Sequence, residues 1–247
     1  MIDFEKEIES RVNFIKDMLK KTGAKGIVFG NSGGKDCALV GILCKKATDN
    51  VLAVIMPCES KQNYGSDKSD AERLCEKFDI DSVVVDLTET KKSLLTAIGQ
   101  ELPNGSLINI APRLRMTTLY AIAAKYGYLV AGTGNASERY MGYFTKWGDG
   151  AFDFCPISDI KATEVFEYLR YLGAPETIIN KAPSAGLFEG QTDEKEMGVT
   201  DEKEMGVTYR EITDYMEGKE VSAKSKEIIE RYHRISEHKR IPSPLYK

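Results

Sequence analysis

The residues best suited to chemistry lie in the stretch VFGNSGGKDCALVGILC, residues 28–44, between two apolar runs. The backbone N–H groups of Ser32, Gly33 and Gly34 can approach an anion closely, at the positive end of the helix that follows. Asp36 would repel a bare phosphate, but it suits a site in which its carboxylate holds Mg²⁺ on that phosphate. The alternative is a plain strand–helix turn in which Asp36 is only a first-turn charge.

Two familiar phosphate motifs do not fit this loop. A Walker A loop needs Lys followed by Ser or Thr, whereas Lys35 is followed by Asp36. A dinucleotide Gly-x-Gly-x-x-Gly motif fails because Ser32 follows Gly30-Asn31. The loop therefore belongs to some other kind of phosphate site, or to none.

Alternating strand and helix patterns surround the loop. Short β-rich runs predict strands at 26–30, 51–57, 82–87 and 128–132. Helical spacing predicts helices up to about residue 21 and at 37–47, 69–80, 91–102, 109–127, 162–173, 209–218 and 222–239. This alternation predicts an α/β fold, a doubly wound parallel sheet flanked by helices. Such sheets bind ligands at the C-terminal ends of their strands, where the loops after Phe29 and Val130 lie.

Composition excludes several classes. With 34 Lys+Arg against 38 Asp+Glu, the net charge of −4 gives no electrostatic case for nucleic-acid or anionic-membrane binding. No apolar run approaches the roughly 18 residues of a membrane span, and the acidic start does not resemble a signal peptide. These features predict a cytoplasmic protein. The five cysteines form no Cys-x-x-Cys pair and lie far from both histidines, which favours buried thiols over zinc or disulfides.

The segment 181–207 is glycine-rich and acidic and is expected to be a mobile, lid-like surface loop. Within it, TDEKEMGV at 192–199 is repeated at once at 200–207. Two copies are too few for a repeat architecture. The repeat is either a local duplication in a tolerant loop, an artefact of the sequence record, or a lengthened lid, and the loop could also take part in an interface.

Beyond these patterns, SGGKD (32–36) resembles the SGGxD[ST] signature of the N-type ATP pyrophosphatases, although Cys37 departs from the usual Ser or Thr. Further segments resemble NAD synthetases in particular. These are NIAPRLRM (109–116), GTGNASE (132–138), GYFTKWGDG (142–150) with Asp153, PIS (156–158), KAPSAGL (181–187), GQTDE (190–194) and EHKR (237–240). The resemblance implies a single domain over 1–247 with an adenine nucleotide alpha hydrolase-like fold.

The resemblance also implies roles for individual residues. Those matching ATP-contacting positions are Gly30, Ser32, Gly33, Gly34, Lys35, Asp36, Cys37, Thr133, Lys161 and Ser184. Those matching positions that bind deamido-NAD are Arg115, Lys146, Asp153, His238 and Lys239. Asp36 and Glu138 would share Mg²⁺, while Lys146 and Asp149 would act at the reacting centre, Asp149 as a candidate for receiving ammonia. Lys161 lies one position before the family's usual lysine, where this chain has Ala162.

Each of these residues also has a plainer interpretation. Glu138 could cap a helix at 136–141, and Asp149 and Asp153 could form turns. The two basic residues Arg115 and Lys146 could be solvated surface charges, and His238 a surface histidine.

The chemistry implied by the resemblance has two steps. The carboxylate of deamido-NAD attacks the α-phosphorus of ATP, giving an acyl-adenylate and pyrophosphate, and ammonia then displaces AMP to form NAD⁺. Since only about 25 residues precede the first strand, no glutaminase domain is expected there, and ammonia is free or comes from a partner chain. The resemblance further implies a homodimer. The competing hypotheses are another pyrophosphatase of the superfamily and a non-catalytic nucleotide-binding module.

Overall fold

The computed structural model describes residues 2–59, 65–180 and 206–246. The predicted lid at 181–207, with its duplicated octapeptide, therefore lies outside the described residues except for its last two positions. Among the described helices, none is long and apolar enough to cross a membrane.

Four parallel strands form the sheet: β1 (Gly26–Gly30), β2 (Val51–Ile55), β3 (Asp81–Val84) and β4 (Tyr128–Ala131). Their order is β3-β2-β1-β4, with Phe29 opposite both Ala53 and Ala131. The chain winds outward from β1 to β3 and then crosses to the other side of β1. The sheet is therefore doubly wound, as predicted, and the loops after β1 and β4 flank its topological switch point.

A helix lies at every place where the sequence predicted one, and two short helices that it did not predict are also present, at Asn104–Leu107 and Glu176–Ile179. The helices are α1 (Phe4–Thr22), α2 (Lys35–Ala47), α3 (Ser66–Phe78), α4 (Thr88–Ile98), α5 (Asn104–Leu107), α6 (Ile110–Tyr126), α7 (Ala136–Met141), α8 (Val165–Tyr171), α9 (Glu176–Ile179), α10 (Tyr209–Met216), α11 (Ala223–Ile235) and α12 (Glu237–Arg240). The one helix predicted at 222–239 is divided at Ser236, whose hydroxyl donates to the Met141 carbonyl oxygen at 3.2 Å. Serine side chains that bond to backbone favour helix ends over helix interiors.

Side-chain alternation along β1 divides the core between the two faces of the sheet. On one face Phe29 packs with α1, α2 and α8, where Ile15 and Leu169 are fully buried. On the other face Val28 packs against α6. A third apolar cluster joins α7 to α10 and α11, through Met141, Ile212 and Ile229. This cluster holds the C-terminal helices against the loop that follows β4.

Candidate active site

The loop after β1 is held by its own side chains. Asn31 Oδ1 accepts a hydrogen bond from the Gly33 N–H at 3.1 Å, and its Nδ2 donates to the carbonyl oxygen of Ala71 in α3 at 3.2 Å. Gly33 has a φ of +72°, and a Cβ at this position would overlap the carbonyl oxygen of Asp67. Only glycine fits such a site, so the turn is pinned against α3.

This arrangement changes one detail of the predicted anion site. The N–H groups of Gly33 and Gly34 donate inside the loop, the latter to Ser32 Oγ at 3.3 Å. The first turn of α2, from Lys35 onward, supplies the N–H groups that have no partner within the helix. The Cys37 thiol is buried, 3.2 Å from Ser32 Oγ, and burial raises its pKa. Cys37 is therefore a neutral wall of the loop.

The two predicted metal ligands are joined through Asn135. Its Nδ2 donates to Asp36 Oδ1 at 3.1 Å, and its backbone N–H donates to Glu138 Oε2 at 2.9 Å. The Glu138 N–H donates back to Asn135 Oδ1 at 3.0 Å, completing a capping box at the start of α7. Lys35 Nζ lies 2.6 Å from Asp36 Oδ2. Glu138 therefore does cap the helix, and the same bonds hold its carboxylate in the neighbourhood of Asp36.

The chemistry of these donors suits magnesium. Asp36 and Glu138 offer hard carboxylate oxygens from two different strand ends. Within the described ranges, no group of three or more His, Cys, Asp or Glu residues gathers around a possible metal position. Magnesium commonly binds through one or two carboxylates together with substrate phosphates and waters, so the pair fits that ion without a third protein ligand.

The loop after α7 presents Asp149. Its Oδ1 accepts a hydrogen bond from the Thr145 N–H at 3.0 Å, which closes the turn that carries it. Asp149 is an exposed residue that lines the cavity, and the protein atoms packed around its carboxyl group raise the pKa of Asp149 by desolvation. The pKa is lowered in part by the hydrogen bond from the Thr145 N–H and by the positive charges of Lys239 and Arg115. Asp149 is thus a turn former, as the plainer interpretation held, and also a cavity-lining carboxylate of raised basicity.

Two cations lie close to this carboxylate. Arg115, from α6, donates through Nε to the Met56 carbonyl oxygen at 3.1 Å. Lys239, from α12, donates through Nζ to the carbonyl oxygens of Gly142 and Phe144 at 2.8 and 2.7 Å. Burial lowers the pKa of both cations. Arg115 is therefore not a solvated surface charge.

A cavity of about 910 Å³ opens at the switch point and collects most of the predicted site. The predicted residues that line it are Gly30, Ser32, Gly34, Lys35, Asp36, Cys37, Arg115, Thr133, Glu138, Asp149, His238 and Lys239. This volume is at the upper end of ordinary small-molecule sites. The cavity therefore has room for more than a single phosphate group.

Other predicted residues lie outside the cavity lining. Gly33 shapes the loop from behind, and Lys146 Nζ donates to the His238 carbonyl oxygen at 2.6 Å. Asp153 Oδ2 accepts from the Val130 N–H at 2.8 Å and therefore extends the hydrogen bonding of β4. Ser184 lies outside the described residues.

Lys161 is also absent from the lining. Its Nζ lies 3.1 Å from Glu164 Oε1 and 2.8 Å from Glu217 Oε1, and these partners raise its pKa. The neighbouring Ala162, at the position of the usual family lysine, is buried in the third apolar cluster. The structure thus gives Lys161 a bridging role between α8 and the end of α10.

Sequence reasoning missed two asparagines that organise the site. Asn135 stands three residues before Glu138, the spacing of a capping box, so a search for helix caps would have found it. Asn31 stands two residues before Gly33, the spacing at which an Asn side chain bonds a backbone N–H in a turn. Both signals are local and readable in the sequence.

Together the fold and the cavity define a class of protein. A doubly wound parallel sheet with a glycine-rich loop at its switch point, leading into a helix N-terminus, is a nucleotide-binding arrangement of the adenine nucleotide alpha hydrolase-like kind. Residues 7–243 match the model of the NAD synthase family. The chain belongs to the NAD synthase family.

Relatives and solved structures agree with this assignment. The chain is 44% identical to the NH(3)-dependent NAD(+) synthetase of Carboxydothermus hydrogenoformans, over 98% of this chain and 97% of the relative. It superposes on the NMN synthetase of Francisella tularensis with a TM-score of 0.92 and 39% identity, covering 100% and 99% of the two chains. With the NH3-dependent NAD synthetase of Campylobacter jejuni the TM-score is 0.81 at 26% identity, and both chains are covered in full.

Proposed function

We propose that this protein catalyses the ATP-dependent amidation of deamido-NAD by ammonia, forming NAD⁺, AMP and pyrophosphate through an acyl-adenylate. The observation that carries the proposal is the cavity of about 910 Å³. It brings together the loop after β1 (the phosphate loop, residues 30–36), the carboxylates of Asp36 and Glu138, and the cations Arg115 and Lys239. Family membership supports the same reaction, since the relatives at about 40% identity are named NH(3)-dependent NAD(+) synthetases. The whole chain, 1–247, acts as one domain in this proposal.

The loop after β1 binds the ATP phosphates. The first turn of α2 directs its unsatisfied N–H groups at them, and Lys35 adds a positive charge that is already positioned by Asp36. Gly30, Ser32, Gly34, Cys37 and Thr133 form the walls around the nucleotide. Asp36 and Glu138 hold Mg²⁺, which supplies charge neutralisation on the phosphates when bound. Ser184 is assigned to ATP on family grounds.

The opposite wall binds deamido-NAD. Arg115 and Lys239 are held by carbonyl oxygens, so their charges are fixed before any substrate arrives. His238 lines the same wall, while Lys146 and Asp153 position that wall and β4 from outside the cavity. Alignment of two anionic substrates by such fixed groups supplies a large part of the rate in reactions of this kind.

Asp149 receives the proton that ammonia loses as it attacks the adenylate. Asp149 lines the cavity, and its raised pKa makes it a better base than an ordinary aspartate. In Asp149→Asn we expect pyrophosphate release to persist, while NAD⁺ formation falls about 10²-fold, the lower end of general-base effects. Because only the ionised carboxylate accepts a proton, the wild-type amidation rate falls as pH drops through the raised pKa. Separate assays of pyrophosphate and NAD⁺ across pH, at constant free ammonia, measure both effects.

The matched control is Asp17→Asn, an exposed aspartate on α1. It should keep both rates and the wild-type pH profile. Unchanged NAD⁺ formation in Asp149→Asn, with its acid limb still present, would rule out this role.

The reaction itself is tested by incubating the purified chain with deamido-NAD, ATP and Mg²⁺, with ammonium in one tube and glutamine in another. NAD⁺ and AMP forming with ammonium alone would establish both the reaction and the nitrogen donor. NAD⁺ in neither tube would reject the proposal.

A second substrate is favoured by one observation. The superposition on the NMN synthetase of Francisella tularensis, at a TM-score of 0.92, exceeds that on the Campylobacter jejuni NAD synthetase at 0.81. The second candidate function is therefore amidation of nicotinate mononucleotide to NMN, with the same ATP chemistry. A parallel tube that contains the mononucleotide in place of deamido-NAD distinguishes the two substrates by their kcat/KM values.

Exposed apolar side chains on α4 support the proposal of a homodimer. Leu94 and Ile98 lie one turn apart on this helix and are both exposed, and α4 has no buried residue. Large apolar side chains exposed on one helix face suit an interaction site. We expect the wild type to sediment as a dimer and the double variant Leu94→Glu/Ile98→Glu as a monomer. The double variant Lys20→Glu/Lys21→Glu, on the far helix α1, should stay dimeric, and a dimeric Leu94→Glu/Ile98→Glu protein would place the interface elsewhere.

A further inference from the structure

Six long cationic side chains line the cavity, and the roles proposed above account for only some of them. They are Lys35, Lys68, Arg115, Arg139, Lys239 and Arg240. An enzyme with two phosphate-bearing substrates must place cations against several phosphate groups. Which of these cations is available to a ligand depends on whether a group of the protein already holds it.

Most of them are held. Lys35 pairs with Asp36 at 2.6 Å, and Lys68 lies 3.6 Å from Glu72 Oε1. Arg115 and Lys239 donate to the carbonyl oxygens described above. The Arg240 guanidinium donates to the Tyr140 carbonyl oxygen, to Ser236 Oγ and to the His233 carbonyl oxygen. Each of these five cations already has a hydrogen bond or an ion pair within the protein, which it either retains or gives up when a ligand binds.

Arg139 differs from this group. Its side chain is exposed at the cavity wall, and no hydrogen-bond acceptor or carboxylate within the described ranges contacts its guanidinium. A second cation of the cavity lies near it, since the charge of Arg139 lowers the pKa of Arg240. An unpaired guanidinium beside a like charge gains strongly from an anion between or against them.

The helix that carries Arg139 is fixed at both ends. Arg139 directly follows Glu138 in α7. The Asn135 capping box stabilises the start of this helix, and Gly142, in the left-handed region, ends it. The apolar cluster around Met141 packs this helix against α10 and α11. The guanidinium therefore projects from a rigid element, next in sequence to a proposed magnesium ligand, as a positioned ligand-binding group requires.

We propose that Arg139 binds a phosphate group of a nucleotide substrate in the cavity, through its guanidinium. This role rests on the proposed function for the identity of the nucleotides. The phosphate belongs either to ATP or to the deamidated pyridine nucleotide, and the geometry of a guanidinium suits both, because two of its N–H groups can meet two phosphate oxygens at once.

The test measures each nucleotide separately on three variants: Arg139→Ala, Arg139→Lys and the control Arg170→Ala, an exposed arginine on α8 outside the cavity. Calorimetry gives the dissociation constants of Mg–ATP and of deamido-NAD without turnover, and steady-state kinetics gives the two KM values. In Arg139→Ala we expect a 10–100-fold weaker binding of one nucleotide, the loss expected for a charge-assisted hydrogen bond. Arg139→Lys should lie between that variant and the wild type, and Arg170→Ala should match the wild type.

The affected nucleotide identifies the phosphate. Weaker Mg–ATP binding assigns Arg139 to ATP, and weaker deamido-NAD binding assigns it to the second substrate. Dissociation constants for both nucleotides within twofold of wild type in folded Arg139→Ala overturn the proposal and leave a solvated arginine. Because binding is measured without turnover, a wild type that binds nucleotides but forms no NAD⁺ would contradict the proposed function and still decide the role of Arg139.

Discussion

Replacing Asp36 with asparagine is expected to lower kcat/KM for ATP by about 10²–10³-fold, the usual cost of removing one preorganised charge-stabilising group. The asparagine can still accept the hydrogen bond from Asn135 Nδ2 that Asp36 Oδ1 accepts at 3.1 Å. What disappears is the negative charge, which faces the proposed magnesium position and pairs with Lys35 at 2.6 Å. NAD⁺ formation as a function of Mg²⁺ concentration measures the effect, and the Mg²⁺ needed for half-maximal rate should rise.

A second variant separates loss of the metal ligand from loss of folding. Glutamine at position 138 can still accept the Asn135 N–H and complete the capping box, so Glu138→Gln keeps the start of α7. It too should raise the Mg²⁺ requirement, while its thermal unfolding stays close to wild type. The control Asp17→Asn should alter neither property. Folded Asp36→Asn and Glu138→Gln proteins with the wild-type Mg²⁺ dependence would show that these carboxylates do not hold the metal.

Of the glycine-to-alanine substitutions in the phosphate loop, Gly33→Ala should lower the stability of the protein most. The residue has a φ of +72°, and the added Cβ would overlap the Asp67 carbonyl oxygen, which belongs to the backbone of α3 and cannot rotate away. Left-handed strain costs about 1–2 kcal/mol and overpacking about 1–3 kcal/mol, so the free energy of unfolding should fall by about 2–5 kcal/mol. Urea denaturation measures this loss.

Gly23 provides the matched control for Gly33. It caps α1 with a φ of +69°, but a Cβ there would meet nothing within 4 Å. Gly23→Ala therefore carries the backbone strain alone and should cost about 1–2 kcal/mol. It should leave the KM for ATP unchanged, whereas Gly33→Ala should raise it because the loop must move. Equal losses of stability in the two variants would mean that the contact with Asp67 relaxes without cost.

Local patterns predicted the regular elements well. All four strands and their parallel pairing were expected, and helix bounds such as 109–127 differ by one residue from the observed Ile110–Tyr126. Strand ends were less accurate. The strand predicted at 51–57 stops at Ile55, and that at 82–87 stops at Val84. Pro57 lacks an N–H for the sheet, and β3 is an exposed edge strand, so neither apolar run continues as regular strand.

The candidate site was predictable in part. The phosphate loop was readable from its glycines and Asp36 because a close backbone approach demands glycine whatever the rest of the fold. The contacts of Lys161 and Asp153 were not predictable from the sequence. The partner of Lys161, Glu217, lies 56 residues away, and the partner of Asp153, Val130, lies 23 residues away. The sequence of a family motif does not show whether its charged residue faces the ligand or pairs with a neighbouring helix.

The sequence by itself determined the order of strands and helices, the glycine turn after β1 and the family of the protein. These depend on periodicity, turn chemistry and motif order within short segments. Only the tertiary structure decided that Asp36, Asn135 and Glu138 form one hydrogen-bonded unit, and that Asp149 and Lys239 share a cavity with Asp36 and Glu138. The reason is that strand order and helix packing bring together residues up to about 200 positions apart, and no local pattern encodes such contacts.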